Sequence, residues 1–282
     1  MHRPYRFRGS AFGAAAVLDT PFREILPTQA SANLADFGGF GSARAEGFRH
    51  RDFIQFDLAH SEVTGSKTHL DGDVDTYSTL VKSTIVNLNV MGMIQCDKVV
   101  ANLVSTYEDI KDAEPSIRLI GSRFQNLTIA GIPVKVCLNL DVLDDDCHQH
   151  WQLKSKFKSK DEKDKRVRDL FGDKDLREAH PTASDRVKKY LGLPPSDKDS
   201  EMPCDEYGVT TLSIVRKLEP ECNAFKTYGH VIHIEGFGTI RLGEVRVGKY
   251  TRQLSMIQVK LGCPVEGMAA FGSVDGGTSK GN

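Results

Sequence analysis

The 282-residue chain has six cysteines, at 96, 137, 147, 204, 222 and 263, and no two of them stand in C-x-x-C spacing. That lack removes zinc ribbons and dithiol redox motifs, and a chain of this length has no need of disulfide staples. Cys96 and Cys137 lie in strand-like runs, where a free cysteine behaves as a small hydrophobe, so reduced thiols are expected. No apolar stretch approaches the roughly 20 residues needed to cross a bilayer as a helix. Net charge is also nearly absent: a formal -1, with charged residues at 27%, gives no global pull toward nucleic acid or a membrane surface. Ala11–Leu18, behind Arg3, Arg6 and Arg8, is too short for a secretory leader; it is broken by Gly13 and ends at Asp19. A cytoplasmic location is therefore expected over export. Finally, there is no G-x-S-x-G elbow, Walker A loop, dinucleotide fingerprint or H-E-x-x-H, so no single motif names an enzyme.

What the sequence does contain is strand. Asn87–Met93 reads N-L-N-V-M-G-M, Asn126–Ile132 reads N-L-T-I-A-G-I, and a looser copy, I-H-I-E-G-F, occupies Ile232–Phe237. Each alternates apolar and other residues, turns at a glycine and resumes, which is a strand, a corner and a second strand. Gly92, Gly131 and Gly236 are the expected corners, with Ile85 and Leu88 of one copy and Phe124 and Leu127 of the next in one core. Alternation also marks Tyr5–Leu18, Arg51–Val63, Val134–Leu140, Val209–Leu218, His230–Val247, Leu254–Leu261 and Val265–Val274. The glycine-rich stretch Ser31–Phe48 reads as structural corners, and Thr64–Asp75 as a polar loop. The fold class is mainly β, as a β-sandwich or β-solenoid-like stack of duplicated strand–Gly–strand units. Residues 1–146 and 201–282 form one β-rich domain. Residues 147–200 are dense in charge and poor in β-branched residues, and read as an insertion with two short helices around Val167–Phe171 and Val187–Leu191.

Four polar constellations invite a chemical reading. Asp144, Asp146, His148 and His150 alternate, so an extended backbone would place four metal-ligating side chains on one face. Asp71, Asp73 and Asp75 imitate the opening of a calcium loop, but Thr76 stands where glycine is required and Lys82 where a glutamate belongs. His230 and His233 are three apart, which on a strand sends them to opposite faces. The basic run from Lys154 to Arg168 is interrupted by Asp161, Glu162 and Asp164 and reads as a solvated helix face.

Ser83–Met93 and Ser122–Val134 share the phrase S-x-x-x-N-L-x-[VI]-x-G-[IM]. With G-F-G-T-I-R-L-G-E-V at Gly236–Val245 and G-S-A-F-G at Gly9–Gly13, this phrasing resembles the choice-of-anchor P family of bacterial β-rich surface proteins. The resemblance implies a β-rich extracellular module with no catalytic residues to carry over. The chain departs from it in lacking a leader-like segment and a C-terminal anchor, and in its charged insertion. The expected function is a non-enzymatic structural or binding protein without a cofactor, acting on further copies of itself or on a protein partner, with no role for nucleic acid. The alternative is a metal-dependent hydrolase or cupin-like oxygenase holding one transition-metal ion on Asp144–His150.

Overall fold

Residues with period-two alternation bury every second side chain, and here they do so on two sheets that face each other. The computed structural model describes residues 5–20, 23–70, 74–110, 113–143, 149, 151–152, 155, 209–220, 224–248, 252–262 and 266–280. In chain order the strands are β1 (Tyr5–Leu18), β2 (Glu24–Gln29), β3 (Ala32–Asn33), β4 (Gly39–His50), β5 (Ile54–Leu70) and β6 (Val74–Val90). Next come β7 (Ile94–Glu108), β8 (Ser116–Arg118), β9 (Arg123–Ile129), β10 (Ile132–Pro133) and β11 (Lys135–Leu138). A short 3-10 turn, Leu140–Leu143, follows. The rest are β12 (Thr210–Ser213), β13 (Val215–Glu219), β14 (Lys226–Tyr228), β15 (Val231–Ile234), β16 (Gly238–Val247), β17 (Arg252–Leu261) and β18 (Gly267–Lys280).

One sheet runs in the order β14-β15-β16-β17-β18-β1-β2, with β12 also paired to β16 and β3 to β1. The other runs β10-β9-β7-β6-β5-β4, with β8 on β7, and β11 and β13 form a separate pair. The architecture is sandwich-like, not a solenoid: β1 and β18 of the first sheet lie across β5, β6 and β7 of the second. Composition explains how close they come. β1 and β18 are rich in Gly, Ala and Ser, and a Cβ built on Gly13 would stand 2.5 Å from the Cβ of Ala59. The Ser83 hydroxyl crosses the gap to donate to the Phe12 carbonyl at 2.9 Å. Between the sheets lie Val81, Ile85, Val99, Leu103, Ile257 and Phe271, all buried. Tyr5, Phe7, Tyr77 and Tyr107 close one end, with Tyr5 stacked on Tyr77 at 3.7 Å between ring centroids.

Two expectations need correction. Thr64–Leu70 and Val74–Asp75 are not loop: β5 runs on to Leu70 and β6 begins at Val74, and residues 71–73 lie outside the described residues. Cross-strand polar pairs support this hairpin, with Asp75 held by Lys67 at 2.7 Å and by His69 at 3.0 Å. The Lys67 hydrogen bond, then the His69 one, keep the Asp75 carboxyl below its ordinary range. Ser31–Phe48 is likewise more than corners, because Gly39–His50 is a continuous strand, β4, at the edge of its sheet. Of residues 147–200, only Gln149, Trp151, Gln152 and Ser155 are described. The helices expected around Val167–Phe171 and Val187–Leu191, and the basic run, fall outside the described residues.

Candidate functional site

Alternation in the second sheet fails at one level, and it fails in every long strand at once. Phe56 and Ala59 are buried with Asp57 and Leu58 between them; Ile85 and Leu88 flank Val86 and Asn87; Cys96 and Val99 flank Asp97 and Lys98. Two successive side chains therefore face outward where a regular strand would send one in. The cause is a left-handed residue on alternate strands: Gly47 at φ 57°, Asn87 at 53° and Asn126 at 50°. Glycine has no Cβ to clash there, and asparagine tolerates this region better than other side chains. Because each strand makes the same step, register is preserved on both sides, with Gln55 opposite Asn89 above and Leu58 opposite Val86 below. At the row itself Asp57 and Asn87 drop out of the ladder, as do Asp97 and Asn126. Side chains bridge those gaps: the Asn87 amide donates to Asp57 at 2.6 Å and the Asn126 amide to Asp97 at 2.7 Å.

The step leaves a trough on the outward face, with a cavity volume of about 480 Å³. Its lining comes from β4, β5, β6 and β7. Arg49, Gln55, Asn89 and Gln95 form one polar row, each opposite the next in the sheet register. Asp57, Asn87 and Asp97 form the second, with Gly47 at its end. Asp57, Asn87, Gln55, Gln95 and Asp97 are exposed. Asn89 is part-buried, and its side-chain oxygen accepts the Gly92 N–H at 2.7 Å.

Two of the glycine corners lie in the same sheet as the trough. Gly92, φ 67°, turns β6 into β7, and Gly131, φ 77°, turns β9 into β10. Gly236, φ 75°, turns β15 into β16 in the other sheet. Leu88 and Leu127 are buried in one core with Ile85, and Phe124 packs against it half-buried. A further copy escaped the sequence reading. Gly47–Asp57, G-F-R-H-R-D-F-I-Q-F-D, matches Asn87–Asp97, N-L-N-V-M-G-M-I-Q-C-D, in position, and in conformation at its first and fifth residues. The first residue of each copy is left-handed, and so is the fifth: Arg51, Met91 and Ala130. The corners are also joined to one another, since Met91 N–H donates to the Phe53 carbonyl at 2.9 Å and Ala130 N–H to that of Met93 at 2.8 Å. The shared phrase I-Q-x-D was the available signal; glycine in place of asparagine, and Asp52 in place of the corner glycine, hid it.

The other sequence candidates are placed as follows. Asp144, Asp146, His148 and His150 lie outside the described residues, as do Asp71 and Asp73. Among the described residues no three His, Cys, Asp or Glu side chains are grouped to hold a metal ion. His233 is exposed on β15, while His230 precedes that strand and meets Glu244 at 3.1 Å. Glu244 is buried, with Arg241 at 3.4 Å. Burial pushes its carboxyl up, but the His230 hydrogen bond and the charges of His230, Arg241 and Arg246 outweigh that and hold it below the ordinary range. Cys96 is buried and reduced, its thiol facing the carbonyls of Lys98 and Gln125, and burial raises its pKa. Cys137 is part-buried and also free.

A family model described as a domain of unknown function, DUF8256, matches residues 5–248. The chain belongs to the DUF8256 family. The matched span holds β1 through β16, including the whole trough; β17 and β18, which join β16 to β1 in the first sheet, lie beyond it. No curated protein and no solved structure matches the chain. No helix among the described residues is long and apolar enough to cross a membrane.

Proposed function

We propose that this DUF8256 chain is a non-enzymatic structural module that works by assembling with further copies of itself, or with a partner strand, along the open edge of its second sheet. The observation that carries this reading is β4. It is twelve residues long, Gly39–His50, is paired to β5 on one side, and ends the strand order of its sheet. A long edge strand presents a row of backbone donors and acceptors to any strand that can reach it. Two large apolar side chains stand beside the start of this edge: Phe37 is 93% exposed and Phe40 67%. The rest of the edge is selective. Arg44, Glu46 and Arg49 are exposed along it and Gly47 bends it, features that oppose indiscriminate pairing and favour a partner of matched charge. Arg44 and Glu46 carry opposite signs two residues apart, so the edge is complementary to a reversed copy of itself. The resemblance to bacterial β-rich surface modules belongs to the same reading.

Sedimentation velocity across a concentration series tests it. A concentration-dependent oligomer is expected, and Phe40→Lys with Ser42→Lys, which add charge to the edge without touching the core, should return it to monomer. A wild-type chain that stays strictly monomeric at high concentration, with no protein partner recovered alongside it, would overturn the proposal.

A further inference from the structure

From the trough on the outward face of β4–β7 we infer a second activity, independent of edge assembly: it is a binding site for a neutral linear glycan lying across the strands. The trough is long and open. Strands are spaced about 4.8 Å apart, so the four that line the trough give it a length of roughly 15 Å, and it is open at the surface along that length. Such a groove suits an extended polymer, not a compact ligand enclosed on all sides.

Its lining is polar along both rows. The row Arg49, Gln55, Asn89 and Gln95 faces the row carrying Asp57 and Asp97. Gln55 and Gln95, two strands apart, each present an amide donor and acceptor, while Arg49 is held by Asp52 at 2.7 Å and the Asn89 oxygen by the Gly92 N–H at 2.7 Å. Vicinal hydroxyls on successive sugar rings make the complementary pairs, each hydroxyl able to give and accept a hydrogen bond. The charges argue against other polar ligands. The one guanidinium, Arg49, is paired with Asp52 at 2.7 Å, so the Asp57 and Asp97 carboxylates set the sign of the trough and repel a phosphate backbone or an acidic polymer. Asp57 and Asp97 lie two strands apart, at roughly 10 Å, too far to share one cation. Each is also already bound through one oxygen to the neighbouring asparagine amide, which fixes the carboxylate.

The trough is also built on a paired sheet. The rows sit on paired strands, and the left-handed step that creates the trough is tied across by those same Asn–Asp bonds. A ligand would meet a surface already formed, so little ordering cost opposes binding.

Calorimetry on the full chain with β-1,4- and α-1,4-linked glucose oligomers and β-1,4-linked N-acetylglucosamine oligomers tests the inference. At least one series should bind, with affinity rising as the oligomer lengthens to span the four strands and then levelling off. Gln55→Ala with Gln95→Ala, at two exposed positions, should weaken binding about tenfold, as expected for the loss of a few hydrogen bonds. Its thermal midpoint should match wild type, and Lys82→Ala, on the same face outside the trough, should bind as wild type does. No binding in any series, affinity unaffected by the double variant, or binding only to a sulfated polymer and abolished by salt would each overturn it. The edge variant Phe40→Lys with Ser42→Lys should still bind glycan, so failure of assembly and failure of this site are read separately.

Discussion

Replacing Asn87 separates the two roles this residue plays in the row. Its backbone is left-handed, φ 53°, and its amide donates to Asp57 at 2.6 Å across the gap where the ladder is interrupted. Alanine has a Cβ and no amide, so Asn87→Ala loses on both counts. Holding an ordinary side chain in the left-handed region costs about 1 kcal/mol, and an exposed hydrogen bond to a carboxylate contributes about another 1 kcal/mol. Asn87→Gly loses the bond but relieves the backbone, as Gly47 does at the matching position of β4, so it should cost about 1 kcal/mol in total. Asp57→Ala should cost about the same by losing the bond alone. In the pair Asn87→Ala with Asp57→Ala the loss should be smaller than the sum of the singles by the value of that bond. Urea unfolding followed by circular dichroism reads all four, with an unchanged m-value required for the comparison. Equal losses for Asn87→Ala and Asn87→Gly would refute the reasoning, because the backbone would then contribute nothing. Strict additivity with Asp57→Ala would refute the bridging role.

At the corners, Gly92→Ala and Gly131→Ala should each cost about 1 kcal/mol or more through positive φ alone, since a Cβ at either meets nothing within 4 Å. Gly262→Ala, whose Cβ would find only ordinary contacts from 3.5 Å outward, should be tolerated in the same unfolding assay. Between the sheets, Gly13→Ala should destabilise by about 1–3 kcal/mol through overpacking, and Ala59→Gly in the same chain should recover part of the loss, because the two Cβ atoms would otherwise stand 2.5 Å apart. Glu244 predicts a pH dependence. Its folded carboxyl is held below the ordinary value, so its stabilisation is complete above the unfolded pKa and is lost as pH falls through the lower folded one. Unfolding midpoints measured between neutral and acid pH should fall less steeply in Glu244→Gln than in wild type.

Much of the second sheet was legible because its cause is local. Alternation over Val81–Ile85 and Leu88–Val90 reflects burial of every second residue, and a glycine that must turn a hairpin announces itself as Gly92 and Gly131 do. Even the three-residue interval from Ile85 to Leu88, which breaks a period of two, was visible, though its reason was not. That interval exists because Asn87 is left-handed, and a φ angle is not written in residue type when glycine and asparagine serve equally at matching positions. The outer ends of β5 and β6 were misread because residues 66–69 are polar and exposed; cross-strand pairing of Lys67 and His69 with Asp75, not burial, supports the strands there.

The sequence by itself determined that this chain is β-rich, where its best hairpins turn, and that Cys96 belongs inside. Each follows from the period and chemistry of neighbouring residues. Tertiary structure alone decided that β1 and β18 are glycine- and alanine-rich because another sheet lies against them, that β4 is left as an edge, and that Asp57, Asn87, Asp97 and Asn126 stand in one line. Those facts depend on register between strands as far apart in the chain as β1 and β18, where Tyr5 pairs with Lys280, and register is set by how the faces pack together.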